Sequence, residues 1–179
     1  MTGPLELQIR REIYNLILKN PGLHAKKIAE LLVISGQLAD YHLNYLERQQ
    51  LIITQKEDGY RRCYIEGKLG FYDRRRLSML RHETPLKIVF YLLDHPQARH
   101  RDILEHLSIV KSTLSFHLDK LVKYDIISVS ECENEKRYSI KDEEELYELL
   151  IRYKPYSQIE SLKDTWVDLK WPGTKKKEL

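Results

Sequence analysis

A histidine occurs twice in one setting, in "ADYHLNYLERQQLI" (residues 39–52) and in "LSFHLDKLVKYDII" (residues 114–127). A histidine repeated in a fixed frame could serve as a general base or as a metal ligand. Neither chemistry finds its partners. Cys63 and Cys132 stand apart with no Cys-x-Cys pair, whereas metal sites draw on clustered ligands. His95, His100 and His106 recur in "HPQARHRDILEH", but their spacing does not place all three on one helical face. A Gly-rich phosphate loop and a nucleophile elbow are both lacking. The expectation is therefore no enzyme, no metal site and no cofactor. At about 100° per residue, His42 and His117 fall at the edge of an apolar stripe. Their expected role is structural, bridging the core and a phosphate or turn backbone.

The polar residues around these histidines suit a different chemistry. Ala39, Leu43 and Leu46 define the inner stripe of one helix, and Gln37, Asp40, Tyr41, Asn44 and Arg48 lie opposite. The second copy offers Ser112, Thr113, Ser115, Phe116, Asp119 and Lys123. Gln, Asn, Ser and Arg are the side chains that reach base edges and phosphates from a groove-facing helix. Phe116 could meet a thymine methyl, or it could pack against protein, which its lack of a hydrogen-bonding atom favours. Basic residues gather nearby. Residues 59–81 hold seven Lys or Arg, including Arg61, Arg62, Arg74, Arg75 and Arg76, against two acidic residues. Such a cluster fits a polyanion. Residues 1–84 carry 14 basic and 10 acidic side chains, and residues 85–179 carry 16 and 17. Lys136 and Arg137 in the second half are opposed by Glu131, Glu133 and Glu135. By charge the first half is expected to dominate polyanion binding.

The elements that must position these residues are themselves repeated. Shifted by 75 residues, Ile13 meets Ile88, Pro21 meets Pro96, Ile28 meets Ile103, His42–Leu43 meets His117–Leu118, and Arg62 meets Arg137. The matches are mostly apolar and at core spacing, which indicates duplication of a whole folding unit. In each copy an amphipathic helix (residues 5–19 and 86–93) ends at a proline. Two helices joined by a tight turn follow, over residues 25–32 and 36–49, and over 101–107 and 111–124. Ser35 is the expected cap of the third helix, and in the second copy Ser112 is expected to substitute. Two β-like stretches around a turn close each unit. The expected fold is mainly α with small β-hairpin wings, an α+β arrangement of two tandem winged helix-turn-helix domains plus C-terminal helices. The expected divisions are residues 1–67, a basic linker helix over 68–84, residues 85–141, and C-terminal helices with a basic tail over 142–179.

"VKSTLSFHLDKLVKYDIISV…EKRYSI" resembles the DNA-binding core of ArsR-type winged-helix regulators, in which a Ser-Thr-x-Ser-x-His-Leu phrase opens the recognition helix. "NPGLHAKKIAELLVISGQLADYHLNYLERQQLI" is similar to the same core in archaeal regulators that carry two such domains in one chain. This resemblance implies a transcription regulator that binds double-stranded DNA. By motif the second copy looks more like an ArsR recognition helix than the first. The chain departs from metal-sensing relatives in lacking their paired cysteines.

At 42 % hydrophobic and 32 % charged residues, the composition is that of a globular chain. No apolar run approaches the ~18 residues of a membrane span, and the N-terminus lacks the order of a signal peptide, so a cytoplasmic location is expected. "DEEELYELLIRYK" reads as a helix, and "SQIESLKDTWVDLKW" as a further amphipathic helix suited to docking or to a homodimer on a palindromic operator. The leading expectation is a sequence-specific DNA-binding regulator. Gln37, Tyr41, Asn44, Arg48, Ser112, Thr113, Ser115 and Lys123 would lie at the grooves, with Arg61, Arg62, Arg74, Arg75, Arg76, Lys136 and Arg137 on phosphates. The alternative is a tandem winged-helix protein-interaction adaptor without specific DNA binding.

Overall fold

The computed structural model describes residues 7–57, 59–132 and 134–153. The expected helix over "SQIESLKDTWVDLKW" and the start of the first helix lie outside them. The chain divides into two units, residues 1–78 and 79–179.

In the first unit, α1 (Gln8–Lys19) buries Ile13 and Ile17 and stops at Asn20, whose amide donates back to the Leu16 carbonyl at 2.9 Å. Pro21 then blocks continuation. A two-residue strand, β1 (Leu23–His24), leads directly into α2 (Ala25–Leu32). His24 caps α2 by accepting from the Lys27 amide at Nδ1, 3.1 Å away. α3 (Gly36–Arg48) is capped by Ser35, whose hydroxyl accepts from the Leu38 amide at 3.2 Å as expected. The hairpin of β2 (Ile52–Glu57) and β3 (Tyr60–Ile65) completes an antiparallel sheet of order β1-β3-β2. The core gathers Ile13, Ile17, Leu23, Ile28, Leu43, Leu46, Ile52, Cys63 and Ile65. Each of its large aliphatic side chains stabilises the unit by about 1.5–3 kcal/mol on burial. Next comes α4 (Phe71–Leu80), within which the division between units falls.

The second unit runs in the same order. α5 (Glu83–Asp94) begins three residues earlier than residue 86, because Pro85 sits in the first turn, where its missing N–H would lack an intrahelical partner anyway. β4 (Ala98–Arg99), α6 (His100–Leu107), α7 (Lys111–Lys123), β5 (Ile127–Cys132) and β6 (Glu135–Ile140) follow, with sheet order β4-β6-β5. The unit ends in α8 (Glu143–Tyr153). Val110, not a serine, stands at the N-cap of α7, and no side chain caps that helix. Ser112 lies two positions inside the helix from Val110, the counterpart of Ser35, and is too far in to replace it.

The 75-residue offset extends to the backbone. Left-handed residues pair across it: Gly22 (φ 87°) with Gln97 (φ 65°), Val33 (φ 53°) with Ser108 (φ 51°), Gln50 (φ 55°) with Asp125 (φ 64°), and Gly59 (φ 82°) with Asn134 (φ 62°). Val33 is notable among them, since a β-branched residue rarely adopts this region. It is held there because the chain must reverse between α2 and α3.

Candidate nucleic-acid interface

Each unit carries two helices joined by a tight turn, with the second helix half-buried. In α3 the inner row is Ala39, His42, Leu43 and Leu46. Gln37, Asp40, Tyr41, Asn44 and Arg48 are exposed on its outer side. In α7 the inner row is Leu114, Leu118 and Leu121, and Ser112, Thr113, Phe116, Asp119 and Lys123 face out. Ser115 is half-buried and lies 3.1 Å from His100 Nε2.

The arginines predicted to meet phosphate are placed unevenly. Arg61 reaches back to α3, donating to Asn44 Oδ1 at 2.7 Å and to Glu47 Oε2 at 2.5 Å. Glu47 also accepts from Thr54 Oγ1 at 2.5 Å. Arg62, grouped with Arg61 on sequence grounds, does not face outward. It is 5 % exposed, donates to the Gly22 carbonyl at 3.0 Å, and lies 3.9 Å from the Glu57 carboxylate. Successive strand residues point to opposite faces, so only one of two adjacent arginines could face out. Arg74 is similarly engaged, donating to the Leu69 carbonyl at 3.0 Å and to Gln55 Oε1 at 3.3 Å. Arg75 stacks over Phe71 at 4.3 Å, and Arg76 is half-buried. In the second unit Lys136 is exposed, while half-buried Arg137 donates to the Gln97 carbonyl at 3.4 Å.

The repeated histidines are structural in the first unit. His42 is 4 % exposed, and its Nδ1 accepts from Arg10 Nε at 3.4 Å while the Arg10 guanidinium lies 3.5 Å over the Tyr45 ring. Burial and then the Arg10 charge hold His42 below its ordinary pKa. The residue corresponding to Arg10 in the second unit is Pro85, and His117 Nδ1 is buried without a hydrogen-bond partner among the described residues. Burial, with Lys120 adding to it, also lowers the pKa of His117. Among the described residues, no group of three or more His, Cys, Asp or Glu could hold a metal ion. His95 instead stacks on Tyr91 with ring centroids 4.4 Å apart, and His106 lies tilted against the same ring at 4.5 Å.

One feature of the site escaped the sequence reading. An open-sided cleft of about 540 Å³ lies between the start of α6, the outer side of α7 and the β5–β6 wing. Arg99, Arg101, Lys111 and Lys136 line it together with Asp119 and Glu135, and the half-buried His100 and Ser115 form its floor. The signal was available. Lys111 opens α7 one residue before Ser112, and it stands where the first unit has Gly36. His100, weighed above only as a metal ligand, is held below its ordinary pKa by burial and then by Lys111.

Residues 82–129, from the cap of α5 into β5, match the helix-turn-helix model described as bacterial regulatory protein, arsR family. Over 133 residues the chain is 35 % identical to an uncharacterised HTH-type transcriptional regulator of Methanocaldococcus jannaschii, a match covering 74 % of this chain and 33 % of the relative. The chain thus spans about a third of the length of that curated relative. Among solved structures, HlyU from Vibrio cholerae is 21 % identical, covering 49 % of this chain and 94 % of HlyU, with a TM-score of 0.42. ScpB from Mycobacterium tuberculosis is 12 % identical, covering 83 % of this chain and 98 % of ScpB, with a TM-score of 0.31. Among the described residues, no helix is long and apolar enough to cross a membrane.

Proposed function

We propose that this chain is a sequence-specific, double-stranded-DNA-binding transcription regulator built from two ArsR-like winged helix-turn-helix domains and acting as a homodimer. The observation that carries this reading is the second unit's helix-turn-helix. It presents Ser112, Thr113 and Lys123 outward on α7, within the segment that matches the arsR-family model. An exposed row of hydroxyl and ammonium groups on a helix seated on its own core suits a major groove. Gln37, Tyr41 and Arg48 on α3 form the corresponding row of the first unit. Two reading helices in one chain, doubled in a dimer, suit an operator with repeated half-sites.

The test is selection of genomic fragments by the purified protein, followed by competition with scrambled duplex. A recovered consensus, with scrambled DNA at least ~10³-fold weaker, is the expected outcome for a specific regulator. Recovery of random fragments refutes sequence specificity.

A second reading, a protein-interaction adaptor, draws on one observation in the first unit. Leu31, Val33 and Leu38 around its helix turn are 47 %, 90 % and 42 % exposed, where the second unit has His106, Ser108 and Thr113. Absence of any retardation of duplex DNA at low salt would favour that reading.

A further inference from the structure

The two units differ where the wing approaches the paired helices. We infer that phosphate recognition is concentrated in the second unit's cleft, while the corresponding cleft of the first unit is closed by its own side chains. This inference rests on the DNA-binding reading above and concerns how that binding is divided between the units.

Residues 75 apart stand in equivalent places in the two units. In the second unit Lys111 and Lys136 project into the cleft, and among the described residues neither forms an ion pair. Arg101 makes a loose contact of 3.8 Å with Glu105, with both side chains mostly exposed. The carboxylates that would repel an anion are partly occupied. Arg99 is held by Asp102 through two hydrogen bonds of 3.0 Å, and its other nitrogen lies 3.6 Å from Glu135. Asp119 is the other acidic residue that lines the cleft. The His100–Ser115 pair adds polar atoms to the floor, and in the tautomer whose Nε2–H donates to Ser115 Oγ the hydroxyl proton is left for a phosphate oxygen. Three exposed cations around a polar floor form a seat for a phosphate group.

The first unit fills the same place. His24 and Tyr60 stand for Arg99 and Glu135, and their rings stack at 4.8 Å, which occupies the space beside the start of α2. Arg61 stands for Lys136, and Asn44 for Asp119. Here the wing cation bonds directly to the helix at Asn44 and Glu47, bridging the groove instead of projecting from it. Gly36, in place of Lys111, contributes no charge. The first unit carries the denser arginine run in sequence, yet Arg61, Arg62 and Arg74 all make contacts within the unit.

The cleft's size falls within the roughly 300–1,000 Å³ of small-ligand pockets, so the phosphate could belong to a DNA backbone or to a free phosphate ester. Its open side and its position beside Ser112 and Thr113 favour the backbone. The experiment uses the full chain with a mixed-sequence duplex, read by fluorescence anisotropy at several salt concentrations. Wild type is compared with Lys111→Gln/Lys136→Gln and with a first-unit pair, Lys26→Gln/Arg61→Gln, in which Lys26 stands for Arg101 and Arg61 for Lys136, since Gly36 leaves Lys111 without a charged counterpart; each is checked for an unchanged thermal melt. Loss of two phosphate contacts should lower the log–log salt slope by about 2 and weaken binding on the order of tenfold or more at low salt. The first-unit variant should change the slope by less than about 0.5. Equal losses, or a larger loss in the first-unit variant, overturn the inference while leaving the DNA-binding reading intact. Absence of wild-type binding overturns both. In a second arm, inorganic pyrophosphate is titrated by calorimetry. Binding only above about 1 mM supports the backbone as the source, and micromolar binding abolished by Lys111→Gln/Lys136→Gln makes a free ester the occupant and overturns the assignment to DNA.

Discussion

Replacing Arg62 with alanine should damage the fold of the first unit and not merely its charge. The side chain is 5 % exposed, and its Nη1 donates to the Gly22 carbonyl at 3.0 Å. That carbonyl belongs to the turn between α1 and β1, so the contact ties β3 to the end of the first helix. A hydrogen bond from a charged donor contributes about 1.5–3 kcal/mol. The Glu57 carboxylate, 3.9 Å away and 11 % exposed, would also lose its nearby cation. Breaking a buried pair from one side costs about 3–5 kcal/mol, and the 3.9 Å separation argues for the low end. A loss of about 3 kcal/mol should lower the unit's melting temperature by about 15 °C. Arg61→Ala breaks a half-exposed pair and should cost under about 1 kcal/mol. Circular dichroism melts give the magnitude, and hydrogen exchange should localise lost protection to α1, α3 and β3. If Arg62→Ala melts within about 2 °C of wild type, or Arg61→Ala costs more, the assignment of Arg62 to the fold is wrong.

Acid should destabilise the chain before its carboxylates titrate. His24, His42, His100 and His117 are all held below their ordinary value near 6.5, each chiefly by burial. A lowered folded pKa means the unfolded chain binds protons first, so stability is full above about pH 6.5 and is lost as pH falls through the folded values. Denaturant midpoints between pH 8 and 5 should show this fall, and a flat profile contradicts it. Cys63 is buried, and its thiol is pushed up to about 12 by that burial, whereas Cys132 is exposed. A thiol reagent at pH 8 should therefore modify Cys132 rapidly and Cys63 only on unfolding, and two fast thiols would refute the placement. Ser35→Ala removes the cap bond to the Leu38 amide and should cost about 1 kcal/mol. Ser112→Ala removes no cap and should leave stability within about 0.5 kcal/mol.

The sequence carried the helical layout well because burial leaves a period. The row Ala39, Leu43, Leu46 and its counterpart Leu114, Leu118, Leu121 are the inner faces of α3 and α7. α2 spans the residues that the pattern predicts, since His24 and the left-handed Val33 fix both its ends. β1 and β4 were not legible, because two residues are too few to show any alternation. The engagement of Arg62 and Arg74 is not legible for a related reason. Composition counts charge, but it does not say whether a guanidinium ends on solvent, on a carbonyl or on a carboxylate. Arg62 and Arg74 end on backbone carbonyls of their own unit. The cleft beside α7 was hidden because its lining joins α6, α7 and the wing, spread over residues 99–138.

DNA binding, as proposed, rests on charge-neutralising contacts around the paired helices. Its most direct test is the affinity of the full chain for a selected duplex, measured between about 50 and 200 mM salt. Binding should weaken steeply and linearly on a log–log plot, with a slope that decreases when Lys111 and Lys136 are neutralised. No binding at micromolar protein and low salt, or an affinity indifferent to salt, would contradict it.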